Sequence, residues 1–237
     1  MIVAKMTTPP SSKQAAGIEA ARHVVDGMKL GLGTGSTVAF FLDALAARMR
    51  EEGLSVVGVP TSQQTAAKCR ELGIDLTDLE ATPELDLVVD GADEVDSAFR
   101  LIKGGGGALL REKIVAAAAS KVIIIVGANK MVERLGSTFM LPVEIVPFGY
   151  TATRARVSAL TEGSAYVRLT EAGEPFVTDN GNFILDCRFE RGMTDPDSLH
   201  AALSQVPGVV EVGIFLNLCD LVIEGQDDGT VTTHSRA

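Results

Sequence analysis

The chain has 237 residues, of which 46% are hydrophobic and 22% are charged, a composition typical of soluble globular proteins and not of disordered or membrane-spanning chains. This length is sufficient for one large α/β domain, or for one domain that carries a smaller insert. A formal net charge of −10 argues against a nucleic-acid-binding surface, which needs clustered lysine and arginine. An anionic ligand would need a local exception, and the lysines near glycine-rich or strand-end segments are Lys13, Lys103 and Lys130.

Residues 1–10 lack the apolar core of a signal peptide, so we interpret them as a loose tail and expect a cytoplasmic protein. The longest apolar run, around residues 122–126, is too short to span a membrane. The cysteines are far apart and form no CxxC pair, so we expect neither a disulfide framework nor a zinc site. They are Cys69, Cys187 and Cys219.

A helix is predicted over Ser11–Asp26, where apolar residues recur at helical spacing between a serine cap and Gly27. Lys13 falls in its first turn. The helix dipole disfavours a cation there, which hints at a ligand-binding role, although a solvated lysine is the commoner interpretation of such a residue.

Residues 28–53 predict a short strand, a glycine-rich turn and a long helix, the arrangement that binds phosphate. Free backbone N–H groups and the hydroxyls of Thr34, Ser36 and Thr37 would form an anion-binding nest around Gly35. The glycines alternate and do not form GxGxxG, and no lysine follows the last of them, so NAD and ATP are both disfavoured as ligands. A tight strand-to-helix turn with a serine cap is the structural alternative.

A buried strand over Leu85–Val89 is predicted to end at Asp90, on the edge where open α/β sheets bind ligands. Four consecutive glycines, Gly104–Gly107, then precede a predicted helix over residues 108–120. Each glycine costs roughly 1 kcal/mol relative to alanine through chain entropy, so close approach of the backbone to a ligand is the expected reason for the run. A flexible surface loop is the alternative.

Predicted helices and strands alternate up to residue 130, with a further helix over residues 61–73, which indicates a mostly parallel sheet covered on both faces. From Leu141 the predicted order becomes strand, helix, strand, strand, helix, strand, the order of a ferredoxin-like unit. A strand over residues 175–178 and a hairpin turn at residues 179–181 belong to this unit.

The C-terminal segment predicts a hairpin around Asp227–Gly229 that rejoins the first domain. The predicted fold class is therefore α/β, with a Rossmann-like, mostly parallel sheet domain and an inserted smaller α+β domain of the ferredoxin-like type. The predicted bounds are residues 1–137 and 213–237 for the first domain and residues 138–212 for the insert.

None of the three histidines lies beside a glycine loop or a strand-end acid, so histidine catalysis is not expected. HExxH, GxSxG and paired Cys/His motifs are missing from the sequence too, which leaves carboxylate and lysine chemistry near a phosphate nest. Glu112 lies about one turn into the helix after the glycines, where it could share a crevice with Asp90 and Asp93.

The position of Glu112 leaves its pKa open. The helix N-terminus would lower this pKa, and desolvation in a closed site would raise it. An exposed helix face formed by Glu112 and Lys113 is the alternative, and the acids at positions 93 and 94 could simply cap a turn.

Four segments carry a family resemblance: GLGTGSTV, TSQQT, DGADEVD and KGGGGALLREK, followed by a strand that ends near Lys130. In this order and spacing they resemble ribose-5-phosphate isomerase of the A type, over nearly the whole chain. The resemblance implies a cofactor-free aldose-ketose isomerase that interconverts ribose 5-phosphate and ribulose 5-phosphate in the pentose phosphate pathway. It also implies an α/β domain with an inserted α+β lid domain, in a homodimer or homotetramer. The departures are Gly107, where alanine is common, and a longer N-terminal tail.

The same resemblance implies roles for individual residues, and no metal. Glu112 matches the catalytic base, which moves a proton between C2 and C1 through an enediolate. Asp90, with Asp93 nearby, matches the acid that assists ring opening and proton transfer, and Lys103 matches the cation that stabilises the enediolate oxygen. The matched substrate-binding positions are Thr34, Gly35, Ser36, Thr37, Asp90, Gly91, Ala92, Asp93, Lys103, Gly104, Gly105, Gly106, Lys130 and, less closely, Lys13.

Two other functions are alternatives. One is a different enzyme on the same kind of fold, such as an amino-sugar phosphate deaminase, which would be expected to use a histidine, or a coenzyme A transferase. The other is a non-catalytic sugar-phosphate sensor. A sensor could dispense with Glu112 and Lys103 and would carry a segment for binding DNA or a partner, for which we expect no spare length.

Overall fold

The computed structural model describes residues 10–161 and 165–236, so the predicted N-terminal tail, apart from Pro10, lies outside the described residues. The helices are α1 (Ser12–Ala21), α2 (Ser36–Glu52), α3 (Gln63–Leu72), α4 (Leu109–Ala117), α5 (Tyr150–Leu160) and α6 (Pro196–Ser204). The strands are β1 (Lys29–Leu32), β2 (Val57–Pro60), β3 (Asp75–Leu76), β4 (Leu87–Gly91), β5 (Glu94–Asp96), β6 (Leu101–Ile102), β7 (Val122–Val126), β8 (Met131–Val132), β9 (Leu141–Ile145), β10 (Ala165–Val167), β11 (Phe183–Cys187), β12 (Val209–Val212), β13 (Ile214–Phe215), β14 (Leu221–Gly225) and β15 (Val231–Ser235).

The largest sheet has seven strands in the order β15-β14-β7-β4-β1-β2-β3. All neighbours pair in parallel except β14 and β15, which form the C-terminal hairpin. Every residue of β7 is buried, as expected of a parallel strand that helices cover on both faces. The mostly parallel sheet and the return of the C-terminal hairpin to it are therefore confirmed.

The strand order reverses between β1 and β4. From β1 the sheet continues to β2 and β3 on one side, and from β4 it continues to β7 and β14 on the other. Such a switch point opens a crevice at the carboxyl ends of the two strands. The fold therefore places the ligand-binding position where β1 and β4 end.

A second sheet has four antiparallel strands in the order β10-β11-β9-β12, with α5 and α6 between them in the chain. This is the strand order of a ferredoxin-like unit, so the predicted fold class is confirmed. The predicted residue bounds of the two domains stay a prediction.

The predicted strand over residues 175–178 is wrong. In the second sheet β11 pairs with β10 and β9, and residues 175–178 supply no strand to it. Only an isolated bridge between Leu169 and Pro175 forms there. The turn that follows is present: Thr178 N–H donates to Asn182 O at 2.9 Å, and Gly181 has φ 78°.

A third sheet, of order β13-β6-β5-β8, has no counterpart in the sequence-based prediction. Its strands are two or three residues long, too short to give a periodic signal. The last strand of the predicted ferredoxin-like order, expected over residues 209–217, is broken at Gly213, where a Cβ would lie 2.5 Å from Lys103 O and 2.7 Å from Pro142 O. The break sends β12 to the second sheet and β13 to the third.

The spacing of apolar residues predicted a helix that ends at Asp26. In the structure, helix α1 already ends at Ala21. Its last hydrogen bonds tighten to three-residue spacing, as in Val24 N–H to Ala21 O. The Arg48 guanidinium of α2 then donates to the carbonyls of Ala21 and Val24 and satisfies them.

Among the helices of the described ranges, none combines the length and apolar composition that a bilayer crossing requires.

Candidate active site

A pocket of about 150 Å³ lies at the switch point between β1 and β4. Every predicted site residue lines it except Asp90, whose buried side chain contacts the lining residues Thr34 and Lys103. The lining residues are Lys13, Thr34, Gly35, Ser36, Thr37, Val38, Gly91, Ala92, Asp93, Lys103, Gly104, Gly105, Gly106, Glu112 and Lys130.

Asp90 reaches its position because the turn after β1 is glycine-rich. A Cβ on Gly33 would lie 2.1 Å from Asp90 Oδ1, so only glycine leaves room for the carboxylate. This oxygen accepts hydrogen bonds from the N–H groups of Thr34 at 3.1 Å and Gly91 at 2.7 Å. The carboxylate therefore ties the end of β1 to β4, in which it lies as the fourth residue and not as the residue after the strand.

The N-terminus of α2 forms one end of the pocket. Gly35 caps it with φ 128°, and no side chain accepts from its first N–H groups. The N–H groups of Ser36, Thr37 and Val38 have no acceptor within the described part of the chain. Together with the helix dipole, they form a binding site for an anion.

Lys13 lies at the same end of the pocket, because α1 packs closely against α2. A Cβ on Gly17 of α1 would lie 2.7 Å from Phe41 N, so the two helices touch through their backbones. The Lys13 ammonium then donates to Ser36 Oγ at 2.9 Å. Lys13 is exposed to solvent, and its ammonium stands at the N-terminus of α2.

The sequence predicted that the Thr34 hydroxyl forms part of the anion-binding nest. In the structure, this hydroxyl instead contacts other hydroxyl groups. Thr34 Oγ1 lies 2.7 Å from Thr61 Oγ1, 2.8 Å from Ser62 Oγ and 3.1 Å from Thr65 Oγ1. This hydroxyl cluster fixes the turn against the start of α3. The sequence segment TSQQT contains three of the four hydroxyls of this cluster, but it does not indicate that the fourth comes from Thr34.

Lys103 is the centre of the pocket's charge. Its ammonium lies 2.9 Å from Asp90 Oδ2 and 3.4 Å from Glu112 Oε1, and it also donates to Gly91 O. All three charged side chains are almost fully buried. Burial lowers the pKa of Lys103, but the neighbouring carboxylates of Asp90, Glu112 and Asp93 outweigh it and hold the pKa above its usual value.

Glu112 faces this cation from the first turn of α4. Burial, followed by the charge of Asp90, raises its pKa to about 8, and Lys103 opposes the shift. Desolvation is thus the largest influence on this pKa, and it acts in the direction expected of a closed site. Glu112 Oε2 has no hydrogen-bond partner in the described residues, although the atom is buried. A carboxylate with one free oxygen and a pKa near neutrality is suited to accept and return a proton.

The alternative of an exposed helix face is wrong for both Glu112 and Lys113. The Lys113 ammonium is bound to Glu211 Oε1 at 2.6 Å, Val212 O at 2.7 Å and Ile214 O at 3.0 Å. It thereby holds the chain where β12 passes into β13.

The four-glycine loop closes the other side of the pocket. Gly104 and Gly107 have φ of 106° and 80°, and Gly107 N–H donates to Gly104 O at 3.0 Å. Gly105 N–H donates to Asp93 Oδ2 at 2.8 Å, and a Cβ on Gly105 would lie 2.6 Å from Asp93 Oδ1. The loop is therefore built around the Asp93 carboxylate.

Asp93 and Lys130 are half-buried at the pocket. Burial raises the pKa of Asp93, while the Gly105 N–H and the nearby cations oppose the shift. Lys130 Nζ lies 5.8 Å from the centre of the Phe139 ring. Glu94 has a structural role, since its buried carboxylate accepts from the N–H groups of the 136–139 loop.

Arg168 is the residue near the pocket that sequence reasoning missed. Its guanidinium contacts the glycine loop from more than sixty residues further along the chain, so no local pattern could have revealed it. In the described ranges, no group of three or more His, Cys, Asp or Glu side chains could hold a metal ion.

Comparison with known proteins shows what this chain is similar to. Residues 57–229 match the family model described as Ribose 5-phosphate isomerase A (phosphoriboisomerase A). The chain is 51% identical to a Ribose-5-phosphate isomerase A of Parvibaculum lavamentivorans, over 92% of this chain and 95% of the relative. It is 50% identical to one of Roseiflexus sp., over 94% and 95% respectively.

Solved structures agree in fold. Ribose 5-phosphate isomerase from Plasmodium falciparum superposes with a TM-score of 0.91 at 38% identity, over 94% of this chain and 97% of that one. A D-ribose-5-phosphate isomerase in complex with phospho-erythronic acid gives a TM-score of 0.89 at 38% identity, with the same coverage.

The raised pKa of Glu112 predicts a pH-dependent stability. The unfolded chain has an ordinary glutamate pKa near 4.5, whereas the folded chain holds the proton up to about pH 8. The stabilising effect of that proton is therefore full below about pH 4.5 and is lost as the pH rises through about 8. Because glutamine stays neutral, Glu112→Gln is expected to match the wild type near pH 4.5 and to be more stable near pH 8.5. Urea unfolding at both pH values measures this, with the exposed Glu51→Gln as control; equal stabilities near pH 8.5 would contradict it.

Proposed function

Since this chain belongs to the ribose 5-phosphate isomerase A family, we propose that its pocket interconverts D-ribose 5-phosphate and D-ribulose 5-phosphate by proton transfer between C2 and C1. The observation that carries the proposal is the buried Glu112 carboxylate, which has one free oxygen in the pocket and stands 3.4 Å from the Lys103 ammonium. A base beside a cation is the pair that an enediolate intermediate requires.

The chemistry follows from this pair. In its ionised form, Glu112 removes the proton from C2 of the open-chain aldose, the C–H electron pair forms the C1–C2 double bond, and the C1 carbonyl oxygen takes the negative charge. The Lys103 ammonium stabilises that charge in a site from which water is largely excluded, an effect typically worth about 3 kcal/mol of barrier. Glu112 then returns the proton to C1, and the oxygen on C2 becomes the ketone as its proton passes to the oxygen on C1.

We assign contact with the sugar hydroxyls to Asp93 rather than to Asp90. Asp90 does not line the pocket: its Oδ1 accepts from the N–H groups of Thr34 and Gly91, and its buried Oδ2 is ion-paired with the Lys103 ammonium at 2.9 Å. Asp93 lines the pocket, and burial raises its pKa, which favours a carboxyl group that can pass a proton during ring opening. Asp90 then acts through Lys103, whose ammonium it holds in place.

The phosphate of the substrate binds at the N-terminus of α2. The unpaired N–H groups there, the Ser36 hydroxyl and the Lys13 ammonium support this assignment. These local groups explain how a chain with a net charge of −10 attracts an anion, because the distant carboxylates are screened by salt. Lys130, also in the lining, adds a second positive charge.

The base assignment predicts that Glu112→Gln loses turnover and keeps affinity. The side chain keeps its shape but has no basic oxygen, so kcat should fall at least about a hundredfold with a nearly unchanged KM. Formation of ribulose 5-phosphate by the purified protein in excess chelator measures this, with Glu51→Gln as control. Near-normal turnover in Glu112→Gln would overturn the assignment of the base, and an inactive wild type would overturn the proposed function.

The phosphate assignment predicts that Lys13→Met raises the KM for ribose 5-phosphate about tenfold or more, because one charge-assisted contact is lost. The kcat should change little, since Lys13 contacts Ser36 at the N-terminus of α2 and not the Glu112–Lys103 pair. Lys29→Met, which removes an exposed lysine at the start of β1, is the matched control. If Lys13→Met leaves KM unchanged, the phosphate does not bind at α2.

We also propose that the protein works in the cytoplasm, in the non-oxidative pentose phosphate pathway, as a homodimer or homotetramer. Membership of the family supports the pathway. The resemblance to ribose-5-phosphate isomerase of the A type, which implies a homodimer or homotetramer, supports the oligomeric state. Light scattering should give two or four times the chain mass of 24.9 kDa; a monomer mass would exclude both states.

A further inference from the structure

The four-glycine loop Gly104–Gly107 is held from outside by a side chain of the second sheet. Arg168 follows β10, and two hydrogen bonds fix its backbone. The Arg168 N–H donates to Ile184 O at 2.8 Å, and the Arg168 carbonyl accepts from Phe176 N–H at 2.9 Å. Its side chain is 15% exposed and does not line the pocket. Its hydrogen bonds therefore act on a bound ligand through the loop, while its charge also reaches the Asp93 carboxylate.

The guanidinium contacts two carbonyls of the loop at once. Nη1 donates to Gly104 O at 2.9 Å and to Gly105 O at 3.0 Å. Nε and Nη2 donate to the two oxygens of Asp186, at 2.9 and 2.5 Å. This paired geometry uses the planar fork of arginine, which lysine does not have.

The orientation of the loop peptides follows from these contacts. In a trans peptide the carbonyl and the next N–H point in opposite directions. Because Arg168 holds the carbonyls of Gly104 and Gly105, the N–H groups of Gly105 and Gly106 point away from it. The Gly105 N–H indeed donates to Asp93, whereas the Gly106 N–H has no acceptor among residues 10–161 and 165–236.

Phe176 fixes the far end of the same loop. A Cβ on Gly107 would lie 2.5 Å from Phe176 Cε1, and Gly107 has φ 80°, so alanine at this position would be both crowded and strained. The fourth glycine is thus matched to an aromatic ring of the loop between β10 and β11. Between Arg168 and Phe176, the loop has little freedom to turn its peptides.

We propose that Arg168, paired with Asp186, is a positioning residue for the isomerisation: it holds the Gly104 and Gly105 carbonyls so that the Gly106 N–H donates to the sugar oxygen that becomes negative in the enediolate. Gly106 lines the pocket close in sequence to Lys103, whose ammonium serves the same oxygen. The inference rests on the proposed function. It adds a backbone donor to the site and a residue of the second sheet that aims it.

The test compares Arg168→Met with the wild type in two measurements, catalysis of ribose 5-phosphate isomerisation and inhibition by phospho-erythronic acid. The carboxylate of this acid resembles the enediolate, so its inhibition constant reports on the donors that face the reacting end. If the Gly106 N–H no longer points at the sugar oxygen, kcat should fall about tenfold or more and the inhibition constant should rise by a similar factor. The change in KM should be smaller.

A merely structural role would leave fewer active molecules, which lowers the apparent kcat but leaves the inhibition constant unchanged. Arg168→Lys should recover only part of the loss, and Asp186→Asn should show the same pattern more weakly. The exposed Arg188→Met, after β11, is the control. If Arg168→Met or Asp186→Asn keeps its fold and an unchanged inhibition constant while the wild type isomerises the sugar, the inference is overturned; an inactive wild type would instead overturn the proposed function.

Discussion

The contact between one buried ammonium and two buried carboxylates governs this site. Lys103 cannot neutralise both Asp90 and Glu112, and an unpaired buried charge costs several kcal/mol. The arrangement of lowest free energy keeps one proton on these two acids. Asp90 accepts from two backbone N–H groups and has the nearer contact with Lys103. Burial and the neighbouring Asp90 raise the pKa of Glu112 to about 8, so the proton is carried by Glu112. A shortage of positive charge thus makes one carboxyl group a proton carrier.

The rest of the fold serves to bring these three side chains together and keep water away. Gly33 leaves the space that Asp90 fills, and Gly213 lets the chain pass beside Lys103. The Lys103 N–H donates to Gly213 O at 2.9 Å, which fixes the lysine backbone to the point where the second and third sheets meet. Glu112 comes from α4, whose next residue, Lys113, is bound to the same crossing. Both sides of the charged group are therefore anchored to one short stretch of chain.

Much of this could be predicted from the sequence, because its signals are local. A strand that ends in acids, a turn with alternating glycines and a run of four glycines each lie within about ten residues, and the carboxyl ends of parallel strands gather them at one edge. What the sequence did not reveal depends on contacts between distant side chains. The hydroxyl of Thr34 is bound by residues of α3, Arg48 ends α1 from another helix, and Arg168 reaches the glycines from the second sheet. The third sheet was missed because two-residue strands carry no periodicity.

That third sheet also bears on how the chain folds. It joins Ile102 to Ile214, more than a hundred residues further along, and Val95 to Met131. Closing such long loops costs chain entropy before any contact repays it, so pairings of this kind form late and slowly. Lys103 directly follows β6 of this sheet, and its partners Asp90 and Glu112 come from other elements. The charge cluster is thus complete only once pairings between distant parts of the chain have formed, so chemical competence depends on contacts that local structure alone does not supply.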